Sequence, residues 1–186
     1  KAERFVKTID PSTLPRGYLV SSTYAGIKDA IRPVTSTNEP SAATTNVAHP
    51  QEAPKPDVAL IVSSVPAAIA GTFTTNVFKA APVVHATTAL KAAGPNARVR
   101  AILTNSGCAN AVTGQQGLED TQTLVNRVQA LLSPRNQNAI PTYEQDARSS
   151  STDVLMMSTG VIGVRLPVAH IQRCLEHLAA PSILQS

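Results

Sequence analysis

The chain has 186 residues, of which 42% are hydrophobic, 3% aromatic and 15% charged, with a formal net charge of +4. This length favours one domain or a share of a composite one, and the apolar content excludes wholesale disorder. The basic excess is scattered, without the clustered cations and interleaved aromatics of a nucleic-acid-binding face, and no apolar run approaches the ~20 residues that span a bilayer.

With no tryptophan, and only three Phe and three Tyr, the core must be assembled from Ala, Val, Ile and Leu, which suits a sheet covered by helices. Residues 1–16 read as a polar lead-in arm, followed by a first strand at 18–24. The stretch 33–56 holds five of the fourteen prolines among Ser, Thr, Asn and Ala. Such a composition cannot bury enough apolar surface to offset its ordering entropy, so an exposed, mobile insertion is expected there. The apolar run 58–63 predicts a buried strand, 68–74 its partner, and Pro66 the turn between them.

A short helix is expected over 86–92, closed by Gly94-Pro95, and a third strand over 98–103. Residues 104–117 form a glycine-punctuated loop. The next helix places Leu118, Leu124, Val125, Val128, Leu131 and Leu132 on one face, with Glu119 and Asp120 as first-turn charges. After a polar connector at 134–153 come a strand at 154–158 and a turn at 159–163. Pro167 opens a last helix, with Val168, Ile171, Leu175 and Leu178 facing inward. Strands alternating with helices imply an α/β or α+β layered architecture.

Chemistry concentrates in two loops that follow strands. In Asn105-Ser106-Gly107-Cys108-Ala109-Asn110-Ala111-Val112-Thr113-Gly114, small residues let the backbone approach a ligand, and the run enters a helix start whose amide N–H groups point outward. Such a junction can hold a phosphate, a carboxylate or the oxyanion of an acyl-transfer intermediate. It is equally consistent with a tight Asn/Gly turn before a capped helix. The second loop, Ser158-Thr159-Gly160-Val161-Ile162-Gly163, delivers a hydroxyl at a strand end, as a binding site or merely a corner does.

No nucleophile stands out. Cys108 has no His near it in sequence and reads as a small packing residue, Cys174 as core; both fit free thiols. His85 falls in a loop, while His170 and His177 share a helical face without partners at metal-ligand spacing and read as surface residues. No phosphate loop, dinucleotide fingerprint or zinc pattern occurs.

Together with their surroundings, the two loops resemble the ornithine acetyltransferase (glutamate N-acetyltransferase) family. The matching blocks run in family order: Gly17-Tyr18 with Ala25-Gly26-Ile27-Lys28, then Asp57-Val58-Ala59-Leu60-Ile61, then Ala70-Gly71-Thr72-Phe73-Thr74-Thr75-Asn76 and Lys79-Ala80-Ala81-Pro82-Val83. The two loops and Leu166-Pro167 complete the set, and the Cys-bearing loop and long insertion look like the fungal, mitochondrial branch.

The resemblance implies layered sheets flanked by helices, composite with a β chain, and residues 1–186 as part of the α chain. Members cut their precursor at an Ala-Thr bond, and the new N-terminal Thr of the β chain carries the acetyl group from N-acetylornithine to glutamate. Thr113 and Gly114 match the family's oxyanion-stabilising pair, and Thr159 matches a substrate-binding position. The implied partners are the β chain, in αβ units and higher assemblies, with no nucleic acid or membrane. No metal or organic cofactor is implied; many members also take the acetyl group from acetyl-CoA while others only recycle it, and the residues here do not choose between the two. The expected compartment is the mitochondrial matrix, a targeting segment having been removed before Lys1. The family's cleavage motif, a Lys-Gly-rich stretch running into Met-Ala-Thr, is absent from these residues, so the nucleophile is expected on another chain. A related N-terminal-nucleophile amidase or aminopeptidase, and a non-catalytic anion-binding module, are the competing readings.

Overall fold

The computed structural model of the chain describes residues 15–31, 54–133 and 154–180. The expected insertion at 33–56 and the connector at 134–153 lie almost wholly outside these residues.

Four strands form one sheet in chain order. Strands β1 (Tyr18–Thr23) and β2 (Val58–Ala68) are antiparallel, as are β2 and β3 (Arg98–Asn105), while β3 and β4 (Val154–Ser158) run parallel. The helices are α1 (Ile27–Ala30), α2 (Ala81–Ala93), α3 (Gly114–Leu132) and α4 (Val168–Leu178). The architecture is the expected mixed α and β layering.

The period-two rule sorts the strands into faces. Leu60, Val62, Ala101, Leu103, Val154 and Met156 meet the buried stripes of α3 (Leu124, Val125, Val128 and Leu132) and α4 (Ile171, Leu175 and Leu178) in one core. The other face carries the row Val20–Ile61–Ile102–Leu155. Ala86 of α2 packs with Val99 and Leu155 in a smaller cluster that also takes in Ile69, Leu90 and Ile102. Ile61 stays 39% exposed.

Three expectations need correction. Pro66 does not turn the chain: β2 continues to Ala68, with an irregular register between Val62 and Ala67. Proline is tolerated there because β1 has ended by Ser63 and the ladder is already interrupted. Residues 69–80 are not a strand. Gly71 to Lys79 are all exposed, and local turns use their polar groups instead, Thr74 Oγ1 accepting from Asn76 N at 3.1 Å and Asn76 Oδ1 from Phe78 N at 3.0 Å. Helix α2 begins at Ala81 with Pro82 in its first turn, so His85 lies on a helix rather than in a loop.

Asp57 ties this end of the sheet together. Its buried carboxylate accepts from Ala25 N at 2.6 Å and Ile27 N at 2.8 Å, while its carbonyl accepts from Ser106 N at 2.8 Å. Asp57→Ala strands two amide donors, and a loss of about 3 kcal/mol is expected in urea denaturation of the full-length protein. An unchanged midpoint would mean that these contacts contribute nothing.

Candidate functional site

Parallel pairing of β3 and β4 aligns their carboxyl ends, with Asn105 opposite Ser158. The two chemical loops therefore leave the sheet side by side, at the edge where open α/β sheets bind ligands. Hydrogen bonds lace them together: Thr159 N to Asn105 O (3.0 Å), Val161 N to Gly107 O (3.1 Å), Ala109 N to Val161 O (2.9 Å) and Gly163 N to Ala111 O (2.9 Å). Asn105 reinforces the strand ends, its Nδ2 donating to Cys108 O at 2.9 Å and its Oδ1 accepting from Ser158 Oγ at 2.6 Å.

The first loop ends in a tight junction with α3. Asn110 and Val112 take left-handed backbones at φ 48° and 57°, and Gly114, the first residue of α3, has φ 60°. The helix forms its first bond from Gly117 N to Thr113 O at 3.3 Å. The amides of Gly114, Gln115 and Gln116 therefore precede the helical ladder, and all three residues are exposed. Thr113 is half-buried, with its hydroxyl donating to Asn110 Oδ1 at 2.8 Å. Thr113 and Gly114 are thus adjacent at one end of the laced loops.

Thr159 sits at the other end, beside Asn105, and no hydrogen bond joins it to Thr113 or Gly114. It lines an open pocket of about 710 Å³ with Lys28, Ile31, Ser106, Val161 and Val164. Sequence reading missed Lys28 here because α1, only four residues long, carries no amphipathic pattern.

The remaining candidates are structural. Cys108 is fully buried and donates to Val164 O at 3.3 Å; burial, with the nearby Asp120 charge, raises its pKa against a backbone hydrogen bond from Asn110, so it is a thiol rather than a thiolate. Burial likewise lowers the His85 pKa. Asp120 is not a first-turn charge: it lies a full turn inside α3, buried, and receives Arg165 through Nη2 at 2.8 Å and Nε at 3.2 Å. His170 is half-buried rather than a surface residue, its Nδ1 3.1 Å from Ala25 O, whereas His177 is exposed. Cys174 is half-buried against the main core. Among the described residues no group of three His, Cys, Asp or Glu could hold a metal ion, and no helix is long and apolar enough to cross a membrane.

Sheet, helices and strand-end loops define an α/β protein whose open edge presents a strand-end loop running directly into a helix start. Among solved structures, the chain superposes on ornithine acetyltransferase from Mycobacterium tuberculosis, determined with ornithine, at a TM-score of 0.63 and 31% identity, covering 89% of this chain and 67% of that one. It also superposes on the arginine biosynthesis bifunctional protein from Bacillus halodurans, at a TM-score of 0.60 and 25% identity, over 89% and 64%. The chain belongs to the ArgJ family, whose sequence profile matches residues 41–184. It is 99% identical over all 186 residues to the mitochondrial arginine biosynthesis bifunctional protein ArgJ of Malassezia globosa, covering 36% of that protein. It is 38% identical over 171 residues to that of Cryptococcus neoformans, covering 91% of this chain and 28% of that protein. The chain therefore spans about a third of the length of the curated relatives it matches.

Close backbone approach makes the lacing testable. A Cβ on Gly160, where φ is 129°, would lie 2.3 Å from the Gly107 carbonyl carbon and 2.6 Å from Cys108 N. Gly160→Ala should force the loops apart and cost about 3 kcal/mol or more in thermal unfolding. A variant that melts with the parent protein would show that the loops are not in contact.

Proposed function

We propose that this chain supplies the oxyanion-binding part of an acetyltransferase that moves an acetyl group from N-acetylornithine to glutamate in arginine biosynthesis. The observation that carries this reading is the junction at Thr113 and Gly114, where a hydroxyl and the amide of an exposed residue that precedes the helical ladder are adjacent at the start of a 19-residue helix. The family membership and the ornithine bound to the Mycobacterium tuberculosis relative support the same substrate class.

In this mechanism the hydroxyl of a threonine, the N-terminal residue of a β chain cut from the same precursor, attacks the acetyl carbon while that residue's own α-amino group takes the hydroxyl proton. The carbonyl oxygen becomes anionic and is stabilised by Gly114 N–H and the Thr113 hydroxyl, assisted by the positive end of the α3 dipole. Collapse expels the ornithine amine, which takes the proton from the α-ammonium group, and leaves an acetyl-threonine ester. The glutamate amine then attacks that ester through a second oxyanion in the same place; its proton passes by way of the α-amino group to the threonine oxygen, releasing N-acetylglutamate and restoring the hydroxyl. Thr159 contributes to substrate binding at the pocket edge. No metal or organic cofactor takes part in this cycle.

The αβ unit forms higher assemblies. It acts in the mitochondrial matrix, in keeping with the mitochondrial naming of the fungal relatives. The exposed Ile61, Val65, Val77, Phe78 and Met157 provide apolar surface for the β chain.

In the full-length protein, Thr113→Ala is expected to lower acetyl transfer from N-acetylornithine to glutamate on the order of 100-fold while the circular dichroism spectrum is unchanged. Full activity would remove Thr113 from the mechanism. Thr159→Val is expected to raise KM by about tenfold with little change in kcat, the loss of one substrate hydrogen bond; an unchanged KM would take Thr159 out of the binding site.

A further inference from the structure

Asn110 is fully buried between the loop and α3, and every hydrogen-bonding group of its side chain is engaged. Its Nδ2 donates to Gly117 O at 2.9 Å and to Thr121 Oγ1 at 3.0 Å, and its Oδ1 accepts from Thr113 Oγ1 at 2.8 Å. The reversed amide would set oxygen against the Gly117 carbonyl, so the orientation follows from chemistry. Thr121 completes the ring, its hydroxyl donating to Gly117 O at 2.9 Å. Gly117 has no room for a side chain: a Cβ there would lie 2.0 Å from Thr113 Oγ1 and 2.6 Å from Asn110 Oδ1.

A hydroxyl has one proton, and in this structure Thr113 places it on Asn110. We propose that Asn110 is a positioning residue for acetyl transfer: its side-chain oxygen holds the Thr113 hydroxyl proton in the resting site and releases it to the acetyl oxygen as negative charge develops there. The inference rests on the reading of Thr113 as an oxyanion donor. The exchange is a rotation of the O–H about the Cβ–Oγ bond; one hydrogen bond breaks, another forms, and no proton leaves the threonine. Asn110 sets the position of Oγ1 in the resting site, because its own amide is fixed by Gly117 and Thr121. Once the O–H has turned, the Thr113 backbone, whose carbonyl accepts from Gly117 N at 3.3 Å, keeps Oγ1 there. A neutral substrate carbonyl competes poorly with the amide oxygen for this proton, whereas a developing oxyanion competes well. The contact therefore strengthens toward the transition state, which raises kcat rather than lowering KM.

The test is a double-mutant cycle in the full-length protein, read as kcat and KM for acetyl transfer. Asn110→Gly removes the acceptor and tolerates the left-handed backbone, and Thr121→Val loosens the amide without touching residue 110 should the first variant fold poorly. The expected result is a loss of about tenfold in kcat for Asn110→Gly with KM unchanged, and no further loss when it is added to Thr113→Val. Thr121→Val should lose less and show the same masking. Equal losses in the parent and Thr113→Val backgrounds would overturn the proposal, because a purely structural role is additive. Full kcat in Asn110→Gly would overturn it as well. Full activity in Thr113→Val alone would instead refute the oxyanion reading, and the proposal with it.

Discussion

Parallel pairing of β3 with β4 governs everything at the functional end of this molecule. An antiparallel pair would have sent the two strand-end loops to opposite edges of the sheet. The parallel ladder, with Asn105 opposite Ser158, delivers both to the same edge and lets them continue as a laced pair out to Gly163 and Ala111. The crossover that parallel strands require includes α3, so the helix whose start closes the first loop is the same element that makes the pairing possible. Gly107 and Gly160 permit this arrangement at its closest point, where backbone meets backbone. From the other side, Asp57 fixes the antiparallel strands and α1 to the same edge.

Energetically the edge is supported by a core on one face and is only partly covered on the other. The α3 and α4 stripes bury the rows through Leu60, Leu103 and Met156 completely or nearly so. On the opposite face, cover reaches Leu155 through α2, while Ile61 and Met157 remain exposed, and the segment 71–79 exposes Phe73, Val77 and Phe78. A layered protein buries both faces of such a sheet, so this distribution suits a chain that spans about a third of its relatives' length.

The main elements were legible because their signals are local. The inward stripes of α3 and α4 follow helical periodicity, and the apolar runs at 58–63 and 154–158 are compact enough to read as strands. What failed depends on partners distant in sequence. Pro66 signals a turn in isolation, but the end of β1 makes it harmless within β2. Asp120 reads as a first-turn charge when the loop is run to Gly117, but α3 already starts at Gly114, and the partner of its buried carboxylate, Arg165, lies 45 residues later. Thr113, Gly114 and Thr159 came from the order of family blocks rather than from spacing, and the separation of Thr159 from the other two was visible only in the fold. Asn110 lay inside the quoted block, yet its role needed the side-chain geometry of Gly117 and Thr121. Its three-residue spacing from Thr113 is the one signal that could have pointed to it.

The backbone strain at residues 110–114 then has a physical use. Left-handed geometry is tolerable for Asn110, which hydrogen-bonds locally, but unfavourable for the β-branched Val112, which is also 61% exposed and has little burial to offset it. Such a residue costs on the order of 1–3 kcal/mol and persists only where its surroundings over-determine it. Those surroundings are the Ala81 N bond to Asn110 O at 2.9 Å, the Gly163 N bond to Ala111 O and the Asn110 amide ring. Each lies immediately before the junction, and together they leave Gly114 N and Thr113 Oγ1 little freedom to reorient. In the proposed oxyanion role the Gly114 amide, held in advance, needs no reorganisation when charge appears on a substrate oxygen, and only the Thr113 O–H has to turn. Strain of this kind, together with the open sheet face, lies at the strand-end loops, while the α3–α4 core holds most of the fully buried apolar side chains among the described residues.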